Sequence, residues 1–193
     1  MSIARIVGSN SHIDYVARMA SPESESGGQP PVFGRFVAIP STDGRFVGII
    51  YDSRLINPEF GGFGPRLQPK PALEDFGTGS DKRTGVLIGV IILGTLSETG
   101  HGEHSLPRHV IPAGTEVEFL EDEDVLRFHG LPDGEPMLGY YSRIVSNSGQ
   151  FAIPLIESVI EMLEPQLNHG AAARLSVLRD SLNWQATIGG TNH

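Results

Sequence analysis

The chain has 193 residues, 39% of them hydrophobic and 19% charged, with 24 glycines and 14 prolines; it is long enough to bury a proper core, and so much Gly and Pro argues for many turns between short strands. The net charge of −9, from 23 acidic and 14 basic residues with Lys70 and Lys82 the only lysines, opposes non-specific nucleic-acid binding and leaves room only for a local arginine patch. Cysteine is absent, which excludes disulfides and thiolate metal sites.

In chain order, Ile3–Val7 is a short apolar strand ended by Gly8-Ser9-Asn10-Ser11, with Asp14–Met19 as its expected partner. No charged segment followed by an apolar core opens the chain, and no apolar run approaches the roughly 20 residues that span a bilayer. A soluble cytoplasmic protein is the expectation. Ser21–Pro31 is polar and rich in Pro, Gly and Ser, a loop composition. The centre of the chain follows: Arg35–Ile39 and Arg45–Tyr51 are strands flanking Ser41-Thr42-Asp43-Gly44, and Asp-Gly between apolar runs predicts a hairpin. Phe36 and Ala38 share one face, and Val37 and Ile39 the other; Val47, Ile49 and Tyr51 oppose Phe46, Gly48 and Ile50. Both faces are largely apolar, which predicts a closed or covered sheet, and Gly48 marks a bend or a close backbone approach.

The second strand runs into NPEFGGFGPR, where Pro58, Gly61, Gly62, Gly64 and Pro65 forbid regular structure. We expect Asn57, Phe60, Phe63 and Arg66 of this loop to form a docking surface, its ends restricted by proline and its rings offering rigid apolar area. Gln68–Thr84 is a second irregular stretch. Val86–Leu96, the most apolar run, is β-branched with two glycines and predicts a buried strand. Pro112-Ala113-Gly114 is a turn, and Thr115–Leu120 a last strand with its acidic face in water. Beyond it, EDEDVLRFHG opens with acids, as helix N-termini do. Leu131–Gln150 is linker-like apart from a strand or short helix at Leu138–Val145. Ala152, Leu155, Ile156, Val159, Ile160 and Leu163 then fall at helical spacing. Ala171–Ala186 resumes that period after a break at Pro165 and Asn168-His169-Gly170. This helical pair presents an apolar band wider than one contact face needs, so its surplus covers the barrel or, through Ile156 and Ile160, meets a partner chain.

Motifs for chemistry are few. Lys70 follows Pro69 and Lys82 follows Asp81, so neither completes a P-loop, and neither GxGxxG nor GxSxG is present. The segment HGEHSLPRH, with His101, Glu103, His104 and His109, concentrates metal-ligand types, but its spacing matches neither HExxH nor HxxEH. A solvated loop is the expectation there. No catalytic, cofactor-binding or metal-binding residue is assigned, and no cofactor is expected.

The succession ARIVGSNS, FGRFVAI, DGRFVGIIYD, ILGTL and LPRHVIPAGTEVEFL, with Pro112, Gly114 and Val117 in its last piece, resembles the HAS-barrel. This is the small β-barrel of HerA helicases and rotary ATP synthases. The resemblance runs from about Ile3 to Phe128. It implies a stand-alone barrel that serves a hexameric ATPase or nuclease as an accessory subunit of a HerA–NurA-like DNA-processing system. It carries no ATPase activity over, since two helices stand where the motor would follow.

The expected fold is therefore an all-β small antiparallel barrel over residues 1–130, a linker over 131–150 and a C-terminal α-helical hairpin over 151–187, α+β overall. The expected function is non-catalytic: an adaptor that binds a protein partner, with no membrane role. Two alternatives stand beside it. One is an OB-like binder of single-stranded nucleic acid using Arg35, Arg45, Arg54, Arg66 and the loop aromatics. The other is a metal-dependent hydrolase built on residues 101–109.

Overall fold

The computed structural model describes residues 1–19, 32–56, 85–131, 135–167, 170–173, 175–177 and 179–180. Seven strands form one antiparallel sheet: β1 (Ser2–Ser9), β2 (Asp14–Met19), β3 (Phe36–Ser41), β4 (Gly44–Ile56), β5 (Gly85–Leu96), β6 (Gly102–Glu103) and β7 (Glu116–Phe119). Their order is β2-β1-β7-β3-β4-β5-β6, and a further β2–β5 pairing, from Asp14↔Ile91 to Arg18↔Leu87, closes six of them into a barrel. Closure removes the exposed sheet edges that would otherwise template aggregation. The short β6 stays outside the ring, attached to the end of β5.

The alternation legible in the sequence decides what fills and what covers the barrel. Val37, Ile39, Phe46, Ile50, Ile88, Val90 and Ile92 point inward and meet Ile3, Ile6, Tyr15, Ile111 and Val117. Phe36, Ala38, Val47, Ile49, Ile91 and Leu93 point outward and form a second core under the helices. Strands β3, β4 and β5 are thus apolar on both faces because each face has its own cover. The hairpin turn is two residues, Thr42-Asp43, with Ser41 paired to Gly44. Gly44 sits at φ +126°, a conformation that disfavours any side chain, and a Cβ there would strike the Leu96 carbonyl.

Two bulges bend the β4–β5 pair. Val47 pairs with Gly94 and Gly48 with Ile92, leaving Leu93 extra; Ile50 pairs with Val90 and Asp52 with Gly89, leaving Tyr51 extra. Gly48 is the close approach expected of it: a Cβ would lie 2.6 Å from Val90 Cγ1.

Helices α1 (Asp122–Phe128), α2 (Tyr141–Asn147) and α3 (Ala152–Leu163) cover the outer face. Asp122, Glu123 and Asp124 fill the first turn of α1, favourable at a helix N-terminus. Helical residues resume at 170, and Leu175 joins the same core. Ala152, Leu155, Ile156, Val159, Ile160 and Leu163 are all buried. Two expectations change here. Ile156 and Ile160, 3% and 0% exposed, do not face a partner; the apolar band they belong to is absorbed by the outer face of this chain's own barrel and by α2. Residues 131–150 contain α2 where the sequence predicts a strand or short helix, at Leu138–Val145, but they are not a linker, since Leu131, Tyr140 and Ile144 are core. Among the described residues no helix is long and apolar enough to cross a membrane.

Candidate functional site

The connection from β5 to β7, residues 97–115, lies at the end of the barrel that also carries the β1–β2 and β3–β4 turns. It is pinned from below at several points. Ile111 enters the barrel core, and its N–H donates to Tyr15 Oη at 3.1 Å. His12 Nε2 donates to the Pro107 carbonyl at 2.6 Å. The Arg143 guanidinium, from α2, donates to the carbonyls of His104 at 2.6 Å and Ser105 at 2.9 Å. Above these anchors Leu106 and Val110 stand 58% and 63% exposed. Beside the loop opens a cleft of about 430 Å³, bounded opposite by Ser41, Thr42 and Asp43 of the hairpin.

Behind the loop is a buried polar-aromatic cluster. In α1, Val125, Phe128 and His129 follow one helical face inward, and His129 is fully buried at the helix C-cap. Its Nδ1 lies 2.7 Å from the Val125 carbonyl, an acceptor only, so Nδ1 carries the proton. Nε2 therefore accepts, from the Tyr140 hydroxyl at 2.6 Å. His104 is fixed in the same way. Its Nε2 donates to the Phe128 carbonyl at 3.0 Å, and its Nδ1 accepts from the Gly139 N–H at 3.0 Å. Phe36 and Phe128 meet the His129 ring edge to face at centroid distances of 5.4 and 5.2 Å, and the Tyr140 ring lies 5.0 Å from that of His104.

Burial sets the charge state of this cluster. It lowers the His129 pKa to about 4, against the opposing Val125 hydrogen bond and with His104 adding to the depression. It lowers that of His104 as well and raises that of the Tyr140 hydroxyl well above the usual phenol value. Both imidazoles are neutral at pH 7, and every ring nitrogen already has a partner. This is the chemistry of a latch between β6, α1 and α2, and it leaves no imidazole lone pair for substrate or metal.

A family model described as a domain of unknown function, DUF8166, matches residues 1–192. The chain belongs to the DUF8166 family. No curated protein matches it.

Within this DUF8166 chain the sequence-derived candidates fall apart spatially. Asn57, Phe60, Phe63 and Arg66 lie outside the described residues. The three histidines of 101–109 do not converge: His104 turns inward to the latch, while His101 and His109 stay at the surface. Among the described residues no group of three or more His, Asp or Glu side chains is placed to hold a metal ion. Nor is that loop merely solvated, since His104 stitches two elements together. Of the arginines expected to line a nucleic-acid surface, Arg35 stacks over Phe119 at 4.8 Å and Arg45 pairs with Asp124 at 2.7 Å. Arg54 is exposed and pairs with Asp52 at 2.9 Å. Sequence reasoning passed over His129 and Tyr140 in DUF8166. The spacing of Val125, Phe128 and His129, three and four residues apart, was the available signal that this histidine faces inward.

Proposed function

We propose that this chain is a non-catalytic assembly or adaptor protein, an accessory subunit of a HerA–NurA-like ATPase–nuclease DNA-processing complex acting in the cytoplasm. The reading rests on the resemblance of residues 3–128 to the HAS-barrel and on one observation: the loop at the barrel mouth holds Leu106 and Val110 exposed on a backbone anchored by Tyr15, His12 and Arg143. Apolar side chains on a backbone that is already ordered lose little entropy on docking, which favours a protein contact. The direct test mixes the full chain with a hexameric HerA-type ATPase and a NurA-type nuclease and follows co-elution by size exclusion. Co-elution that is lost in the double variant Leu106→Asp/Val110→Asp, with an unchanged thermal midpoint, is the expected result. Failure of the wild-type chain to co-elute with either protein overturns the reading. Saturable binding of a single-stranded oligonucleotide that displaces the partner favours the nucleic-acid alternative instead.

A further inference from the structure

The cleft at the barrel mouth, about 430 Å³, falls within the size range of small-molecule sites, which favour the mouths of barrels. Its floor is a cross-strand row: Phe46 of β4 pairs with Thr95 of β5, which pairs with Glu103 of β6. Its lining also takes in Asp43 of the hairpin tip and His101, Arg108 and His109 of the 97–115 connection.

The backbone on both sides of the cleft is held by contacts that do not use those side chains. The hairpin is closed by Gly44 against the Leu96 carbonyl. The 97–115 connection is held through its backbone: the carbonyls of His104, Ser105 and Pro107 accept from Arg143 and His12, and the His101 N–H donates to Ser97 Oγ at 3.0 Å. Among the described residues, the side chains of His101, Glu103, Arg108 and His109 make no hydrogen bond or ion pair. The chain has a surplus of acids, and Arg5, Arg45, Arg54, Arg127 and Arg179 each hold a carboxylate. Arg108, which lines the cleft together with His101 and His109 and holds no carboxylate, is therefore open to an anion from outside the chain.

The carboxylates Asp43 and Glu103 refine the ligand class. Both accept hydrogen bonds and neither donates when ionised, so a bare anion beside them is repelled. A ligand suited to both kinds of group brings an anionic end and hydroxyl donors. Phosphate offers more acceptor oxygens to an arginine and two imidazoles than a carboxylate does. We propose that the barrel mouth binds a small phosphorylated polyol, a sugar phosphate being the simplest member. Arg108, His101 and His109 take the phosphate, Asp43 and Glu103 accept from hydroxyls, and the edge of Phe46 that lines the cleft meets the carbon skeleton. The site does not rest on the adaptor reading, although Leu106, one of the two side chains of that reading, also lines the cleft.

Calorimetric titration of the full chain tests it with ribose 5-phosphate and glucose 6-phosphate, against ribose, gluconate and inorganic phosphate. The expected result is saturable binding of at least one sugar phosphate with Kd below about 1 mM, with ribose, gluconate and inorganic phosphate each weaker by about tenfold or more. Arg108→Ala weakens the sugar phosphate about tenfold. Asp43→Asn with Glu103→Gln weakens it too, while leaving inorganic phosphate no weaker. These positions line an open cleft, and an unchanged thermal midpoint verifies that each variant is folded. No saturable binding of either sugar phosphate overturns the proposal, as does undiminished affinity in Arg108→Ala. Inorganic phosphate binding as tightly as the ester removes the polyol part, and gluconate binding in its place removes the phosphate part.

Discussion

The Tyr140 hydroxyl is hydrogen-bonded to His129 Nε2, and His129 is fully buried. Tyr140→Phe removes the donor but keeps the ring, so its cost is that of a buried unsatisfied acceptor, about 1–3 kcal/mol. The Val125 carbonyl on the other side of His129 also accepts the His129 backbone N–H at 3.2 Å, so it survives loss of the imidazole. Replacing both partners, Tyr140→Phe with His129→Leu, is therefore expected to recover part of the loss. Denaturant midpoints of the two single variants and the double variant measure that coupling. The same histidine makes stability pH-dependent. A folded-state pKa lowered from 6.5 to about 4 means that the neutral form is favoured by folding. Its contribution is complete above pH 6.5, declines as the unfolded chain takes up a proton below that, and is gone beneath about pH 4. At about 1.4 kcal/mol per pH unit, the loss across this window is about 3 kcal/mol, with His104 acting in the same direction. Unfolding free energies measured from pH 7.5 down to 4 are expected to fall in the wild type. The slope flattens in His129→Leu; an unchanged slope there overturns the assignment.

At the scale of elements, the β4–β5 pair shows how much was legible. Strand existence, the hairpin and the inward and outward sets of β3 and β4 follow from alternation alone, because each side chain's face is fixed by a period of two. The helical spacing of α3 was equally plain, yet spacing cannot say whether an apolar band meets its own barrel or another chain; Ile156 and Ile160 meet their own. The bulges were out of reach as well, apart from the hint at Gly48, since an inserted residue leaves no mark on composition. Tyr51 is the clearest case. As the extra residue of a bulge it crosses Gly89 of β5, and its hydroxyl donates to Asp14 Oδ1 of β2 at 2.9 Å. Burial and that carboxylate push its pKa up to about 12. Gly89 is glycine because a Cβ would lie 2.8 Å from the Tyr51 ring. Gly89→Ala is expected to displace the ring and cost about 1–3 kcal/mol, whereas in a Tyr51→Ala background the same change costs little. A cost that persists without the ring locates the constraint in the backbone. The latch stayed hidden for a different reason. His104 and His129 are 25 positions apart in sequence, and only the return of α1 past β6 brings their rings within 5.9 Å.

For the molecule as a whole, the two cores are opposite faces of the same strands. Val37 and Ile39 fill the barrel while Phe36 and Ala38 meet the helices, and β4 and β5 divide their residues in the same manner. Detaching the helices would bare Val47, Ile49, Ile91 and Leu93 to water, and emptying the barrel would leave the helices no sheet to pack on. Each layer covers a face of the other, so barrel and helices are expected to unfold in one cooperative step. Ile92→Ala, inside the barrel, and Ile160→Ala, under the helices, are each expected to cost about 2–5 kcal/mol. Both should lower the strand and helix signals together. Native-state hydrogen exchange provides the decisive reading. The slowest amides of β5 and of α3 should exchange with the same opening free energy, and either substitution should lower both by equal amounts. If Ile160→Ala releases the α3 amides and leaves those of β5 at the wild-type value, the helices form a separate unit and the barrel stands without them.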